Sequence, residues 1–263
     1  MQTLVQGGMY QVLEVLEQQE GYRACLCIDV ETNNHYRPLI LNIYENYDDI
    51  RRFLPAFYTM KQEANSDFID LLSGKHSITA VFQYYEGTNL KNYFQQVDKE
   101  NFELRCTYAY LFLEACLSLD AMADFIAYSC LRPENIVVVA KLQKIEINYL
   151  IRPLEVAAKP FKRQRIAVIL EDIFVKNRFV PDELWEYIDE LKQNRDESIA
   201  GTFSGWKQIH NTLLETHRLL QKESWKSYLI RRLKSSLQKR LKRLYRRSGS
   251  PRSEKRKKNA PAK

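Results

Sequence analysis

The sequence predicts an α+β fold of two unequal parts, a small sheet-rich part followed by a larger helical one. Three observations carry this. Residues 22–30 alternate with a period of two, Tyr22, Ala24, Leu26, Ile28 and Val30 against Arg23, Cys25, Cys27 and Asp29, as a half-buried strand does. Further strand-like runs, "PLILNIY" and "SITAVFQYY", lie in the first 85 residues with one helical stretch between them. From residue 90 onward helical spacing dominates, interrupted by one short pair of strands, "NIVVVA" and "KIEINYLI".

Taken in order, "YRACLCIDV" reads as a strand joined by "ETNNH" to a second, "PLILNIY", in a hairpin. "YDDIRRFLPAFYTMKQEA" has helical spacing, with Pro55 expected to break or kink it. After "SITAVFQYY", the stretch "EGTN" supplies a cap, Thr88 or Asn89, for the helix "LKNYFQQV". Apolar residues dense enough for a buried helix fill Asn101–Ala123. "RQRIAVILEDIFV" and "PDELWEYIDELKQ" are separate helices. "FSGWKQIHNTLLETHRLLQ" begins a third that can run on through "KESWKSYLIRRLKSSLQKRLKRLYRR". The final "SGSPRSEKRKKNAPAK" is polar and charged and predicts disorder.

Composition excludes several classes. The 263 residues are 45% hydrophobic, enough for a substantial core. Five cysteines, Cys25, Cys27, Cys106, Cys116 and Cys130, are an odd number without metal-ligand spacing, which predicts reduced thiols and neither disulfides nor zinc. His35, His76, His210 and His217 form no ligand cluster, so no metal is expected. The N-terminal residues lack the basic start and apolar core of a secretory signal, and no stretch reaches the ~18 apolar residues of a membrane span. The expected location is cytoplasmic, with room for peripheral attachment to the inner face of a membrane.

Charge is split along the chain. Residues 222–263 hold 17 Lys and Arg against 2 Asp and Glu, a net of +15, which leaves −8 for residues 1–221. Such asymmetry points to an anionic partner for the C-terminal end. There Leu229, Leu233, Leu237 and Leu241 recur every four residues, with Leu244 three further on. Arg231, Arg232, Lys234, Lys239, Arg240, Lys242, Arg243, Arg246 and Arg247 lie on the other faces, making a basic amphipathic helix suited to an anionic membrane surface or an acidic protein. The alternative is a stripe packed on the helical part with its charges solvated. Nucleic acid fits less well, because the aromatics sit only at the ends of the stripe. Phosphorylation of Ser248, Ser250 or Ser253 would weaken attraction to an anionic surface.

The order of elements over residues 10–220, and above all "LRPENIVV", resembles a protein kinase, whose catalytic loop carries a similar L-K-P-E-N-I-L-L run. The resemblance implies a bilobal fold, an N-lobe over about 1–85 and a C-lobe over 86–221, followed by the basic helix 222–247 and the tail 248–263. It also implies positions for the chemistry. The phosphate-covering glycine loop corresponds to "LEQQEGYRA", which has only Gly21 and carries Glu17 and Glu20, charges that would repel phosphate oxygens. The phosphate-pairing lysine falls at Asn42, with Ile40 two residues before it on the same strand face. The H-R-D triplet falls at Tyr128, Ser129 and Cys130, with no carboxylate. Arg132 keeps a cation where kinases have lysine. Asn135 is retained, as a metal ligand or as a tie for the loop backbone. The metal aspartate falls at Asn148, with Glu146 on the same strand face as the one candidate substitute. The segment "IRPLEVAAKPFK" is too short for a substrate platform.

The expectation is therefore a pseudokinase: no catalytic residues, no cofactor, no small-molecule substrate, and a role as a protein-binding or scaffold module. The alternative is an atypical phosphotransferase that uses Glu146 and Asn135 for metal and Arg132 for phosphate.

Overall fold

The computed structural model describes residues 4–5, 9–30, 37–63, 65–97, 101–153, 161–193 and 198–224, with 227, 230, 233 and 237 beyond them. The chain divides into two compact units, Met1–His217 and Arg218–Lys263.

The first unit begins with a six-stranded antiparallel sheet. Its strands are β1 (Leu4–Val5), β2 (Tyr10–Gln19), β3 (Tyr22–Asp29), β4 (Pro38–Tyr44), β5 (Phe68–Ser73) and β6 (Ile78–Gln83). They lie in the order β1-β2-β3-β4-β6-β5. The two residues between β2 and β3 make a tight turn in which Gly21 takes a φ of +71°, a conformation that favours glycine. Both faces of the middle strands are covered. One face, with Tyr22, Ala24, Ile40, Tyr44, Ala80 and Phe82, joins the main core. The other forms a smaller cluster of Tyr10, Cys25, Cys27, Leu39, Leu41, Ile43 and Val81. So β3 is more than half-buried: Cys25 and Cys27, on what alternation marks as its outer side, are as inaccessible as Ala24.

Helix α1 (Tyr47–Gln62) is capped by Asn46, whose side chain accepts from the amide of Asp48, and packs Phe53, Phe57 and Met60 on the sheet. It runs unbroken through Pro55, contrary to expectation. A proline costs an interior helix about 3 kcal/mol. Here buried aromatic residues on both sides of Pro55 offset that, each contributing about 1.5–3 kcal/mol by burial, and Tyr44, Phe53 and Phe57 form one stacked group.

The helical part comprises α2 (Leu90–Gln96), α3 (Phe102–Ala115), α4 (Asp124–Cys130), α5 (Lys162–Ile173), α6 (Asp182–Gln193) and α7 (Ile199–Lys222). A small sheet, β7 (Thr88–Asn89), β8 (Ile136–Val139) and β9 (Lys144–Ile147), lies beside them. Asn89 caps α2, accepting from Lys91 and Asn92. The single helix expected over 101–123 ends at Ala115 and tightens into a 3-10 turn at Cys116–Leu119. The carboxylate of Asp120, just beyond that turn, accepts from the amides of Ile199 and Ala200 and so caps α7 from a distant part of the sequence. Trp206 of α7 is fully buried between Phe174 and Tyr187. His217 is an ordinary packed residue, stacked on Phe102 with Nδ1 2.7 Å from the carbonyl of Phe179.

Helix α7 does not run on. Glu223 and Ser224 are non-helical, and helical backbone resumes at Ser227, Ile230, Leu233 and Leu237. No helix among the described residues is long and apolar enough to cross a membrane.

Candidate functional site

The residues singled out by position gather where the sheet meets the helical part. Asn42 lies in the middle of β4, opposite Ala24 on one side and Ala80 on the other, and is fully buried. Two alanines leave room beside it, and the space is taken by phenols and backbone. Tyr22 donates to Asn42 Oδ1 at 2.9 Å. The amide of Ile151 donates to the same oxygen at 2.8 Å, and Asn42 Nδ2 donates to the carbonyl of Tyr149 at 2.8 Å. Tyr44 adds a hydrogen bond from its hydroxyl to the carbonyl of Ile151. Burial, and then the Glu17 carboxylate, push the Tyr22 hydroxyl well above the ordinary tyrosine range. The phenol therefore stays neutral and remains a donor. Asn42 is thus the knot that ties the sheet to residues 149–151.

Cys130 ends α4 and is fully buried. Burial pushes its thiol far above the usual cysteine range, against the opposing pull of the Arg132 guanidinium. It stays protonated and has none of the thiolate character a nucleophile needs. Ser129 accepts from the amide of Arg152 at 3.0 Å. Asn135 donates from Nδ2 to the carbonyls of Ser129 and Leu150, at 3.0 and 3.2 Å, so it ties the loop backbone together. Its Oδ1 is buried and has no hydrogen-bond partner among the described residues.

Asn148 faces elsewhere. Its Oδ1 accepts from the amide of Tyr85 at 2.8 Å, and its Nδ2 donates to the carbonyl of the same residue at 3.0 Å. This paired contact holds the segment after β6, and it uses both ends of the carboxamide. Tyr85 in turn donates its hydroxyl to Asp67, as does Tyr149 at 3.2 Å. Glu146 is partly buried on β9; burial, and then Asp67, raise its carboxyl above the ordinary range, with Lys144 opposing.

Glu17 has partners that the sequence did not reveal. It lies near the end of β2, and its carboxylate sits against Arg152 Nε and 3.6 Å from Arg132 Nη1. It neutralises two internal guanidiniums. Arg132 also donates from Nε to Glu134 Oε1 at 2.8 Å. Desolvation alone would raise the Glu134 carboxyl; its own backbone amide and Arg132 outweigh that and hold it below the usual range. Gly21 is a turn residue held against the start of α1: its carbonyl accepts from Glu45, and a Cβ on it would lie 2.9 Å from that of Asn46.

A protein kinase fold implies a magnesium nucleotide, and the fit can be tested on these atoms. Asn135 Oδ1 is one oxygen available to a cation. Asn148 is committed to Tyr85, and no group of three or more His, Cys, Asp or Glu side chains comes together among the described residues. Magnesium is held by carboxylates and substrate phosphates in near-octahedral geometry. One amide oxygen, with a fully buried neutral Asn42 in place of a cation, does not fit that group.

Most of the short segment after Leu150, residues 154–160, lies outside the described residues. So do the cations expected to meet an anionic surface: Arg231, Arg232, Lys234, Lys239, Arg240, Lys242, Arg243, Arg246 and Arg247. Of the expected apolar stripe, Leu233 and Leu237 are described; they are helical and well exposed, as is Ile230 one turn before.

Tyr22, Asp67, Tyr85 and Arg152 are central to the site and carried no local signal. Each acts through a partner far along the chain.

No protein-family model matches the chain, and no curated protein matches it. Among solved structures it is similar to the kinase Rad53, in a crystal structure titled Rad53 1-466 in complex with AMP-PNP. The TM-score is 0.54 at 14% identity, over 76% of this chain and 66% of that one, just under two thirds of its length. At this identity the likeness establishes the fold alone. The fold is α+β, with an antiparallel sheet followed by helices in the bilobal, kinase-like arrangement.

Proposed function

We infer that this chain is a non-catalytic, kinase-like module that acts by binding a protein partner, and that its basic C-terminal segment holds it at an anionic membrane surface. One observation carries the first half: Asn42, at the position the resemblance assigns to a phosphate-pairing lysine, is fully buried and spends both ends of its carboxamide on Tyr22, Tyr149 and Ile151. Cys130 and Asn148, at the two aspartate positions, add no charge. Phosphoryl transfer is almost wholly charge placement, and one such group is typically worth about 100-fold or more. The second half rests on the net +15 of residues 222–263 and on the exposed Ile230, Leu233 and Leu237. Each basic residue near an anionic bilayer contributes about 1 kcal/mol.

The test has two arms. Thermal unfolding at millimolar ATP, with and without magnesium, is expected to show no magnesium-dependent rise in melting temperature; a clear rise refutes the non-catalytic reading. Vesicle co-sedimentation of the full chain and of a version ending at Gln221 is expected to show binding to anionic vesicles only, relieved by salt and lost on truncation. If the full chain ignores the vesicles and captures an acidic protein, the segment docks on protein instead. If the truncated chain is unfolded, the stripe belongs to the core.

A second reading, an atypical phosphotransferase, is favoured by one observation, the orphaned Oδ1 of Asn135. It requires Glu146 to supply a carboxylate to the same ion, and the same magnesium-dependent shift decides it.

A further inference from the structure

The basic segment starts at a break in the helix. Helix α7 ends at Lys222, where the amide of Glu223 closes the last turn on the carbonyl of Leu220 at 3.1 Å. Glu223 and Ser224 are non-helical, and helical backbone is found again at Ser227, Ile230, Leu233 and Leu237. Ser224 stands at the join. Its Oγ accepts from the amide of Ser227 at 3.3 Å and lies 3.0 Å from the Ser227 hydroxyl. A side-chain oxygen that accepts from the amide three residues on is the mark of a helix N-cap, and serine is among the best residues for it. The break also decides which face the helix shows. In an unbroken helix, at about 100° per residue, Leu233 would stand about 140° around the axis from Leu220, which is buried. The exposed Ile230, Leu233 and Leu237 are therefore no continuation of the buried face of α7; they form a second apolar stripe on a helix with its own start.

We propose that Ser224 is the positioning residue of the basic segment: by capping a separate helix, it keeps the stripe of Ile230, Leu233 and Leu237 formed before the segment meets an anionic surface. The inference rests on the membrane reading and names what sets the strength of that contact. A helix with this sequence needs help to form in solution. Along it, Lys239 and Arg243, Lys242 and Arg246, and Arg243 and Arg247 are spaced four apart, and like charges at that spacing oppose the helix. The costly step in helix formation is the first turn, and that is the turn whose orphan amide Ser224 satisfies. A surface that takes only the helical form binds with an affinity lowered by the fraction of chains that are not helical. One hydroxyl at the start of the helix thereby governs how well cations several turns further on are presented. Once anionic lipid neutralises those cations their repulsion falls, so the cap matters most before contact.

The experiment compares full-length wild type, Ser224→Ala and Ser224→Asn by two measurements. One is amide exchange over residues 225–237, read by mass spectrometry without lipid. The other is co-sedimentation with vesicles of phosphatidylserine and phosphatidylcholine. The alanine variant is expected to exchange faster over 225–237, with α7 unchanged, and to bind the vesicles about fivefold more weakly, the usual effect of a lost serine cap on a helical population. Asparagine caps as well as serine and adds no charge, so Ser224→Asn should match wild type in both measurements. That rescue separates a cap from a general need for serine. Exchange in Ser224→Ala that stays as slow as in wild type would show that no cap holds the helix. Faster exchange with undiminished binding would show that the preformed helix is not what binds. Either result, or an asparagine variant that behaves like the alanine one, overturns the proposal. If wild type itself ignores the vesicles, the membrane reading fails, and the exchange measurement alone decides the cap.

Discussion

The ring of Tyr149 stacks on that of Phe82, centroids 4.9 Å apart and planes within 6° of parallel, where β6 meets the segment that follows β9. The stack carries the sheet's main core face into the helical part, and the Tyr149 hydroxyl extends it to Asp67 and Ser118. Separating the two contributions gives the first prediction. Tyr149→Phe keeps the stack and loses the hydroxyl contacts, and should cost about 0.5–1.5 kcal/mol. Tyr149→Ala removes a fully buried ring and should cost about 3–5 kcal/mol. Urea unfolding of both variants measures the difference; equal costs would mean that the ring contributes nothing.

Asn42 bears on reversion. Asn42→Lys places an ammonium in a fully buried position and leaves the Tyr22 hydroxyl, the Tyr149 carbonyl and the Ile151 amide without partners. Each stranded buried group costs about 1–3 kcal/mol, against a total stability of about 5–15 kcal/mol for an ordinary domain. The variant should therefore be unfolded or deeply destabilised by circular dichroism. Cys130→Asp with Asn148→Asp should give no phosphoryl transfer above the wild-type background in a radiolabelled-ATP assay.

The thiols give a prediction about dynamics. All five cysteines are free and no more than 1% exposed. In native buffer they should resist a thiol reagent and react only as the fold opens; in denaturant all five should titrate. Cys25 and Cys27 lie in the smaller cluster and should be the first to label. Mass spectrometry of partly labelled chains identifies the order, and early labelling of Cys130 would contradict its burial.

Glu146 sets a pH dependence. Its carboxyl is raised in the folded state, first by burial and then by Asp67. An acid with a raised folded pKa is penalised where it is ionised. The penalty is absent below the unfolded value, about 4.3, grows as pH rises from there toward the folded value, and is complete above it. Glu146→Gln should therefore melt higher than wild type at pH 7, with the gap closing by about pH 4. A gap that widens on acidification would show that Glu146 is favourably paired when charged.

The sequence made legible what depends on local period. The alternation of β3 and the helical spacing of α5 and α6 state themselves within a few residues, as does a cap for α2 at Thr88 or Asn89, which the structure assigns to Asn89. β5 was missed because "FIDLLS" is short and does not alternate cleanly; it is recognisable only as the partner of β6 across Gly74–Ser77. The break allowed for at Pro55 does not occur, because tertiary packing on both sides outweighs one lost backbone bond. At the site, position showed which charges are missing, but not what replaced them. Asn148 could be read as a weakened metal ligand, and nothing nearby in sequence says that its carboxamide meets the backbone of Tyr85. Glu17 is alike: nothing near it in sequence says that its carboxylate meets Arg132 and Arg152, far along the chain.

The cap that Asp120 places on α7 has a consequence for how the chain is made. Synthesis proceeds from the N-terminus, and domains fold as units once their parts have emerged. Asp120 leaves the ribosome long before Ile199 and Ala200, the two residues whose amides it receives. Until they appear its carboxylate has no helix start to hold, and the place that Trp206 fills in the helical part stays open. A nascent chain halted after Tyr187 and before Trp206 would display that vacancy to chaperones and proteases, so ribosome pausing in this window should lower the yield of folded protein.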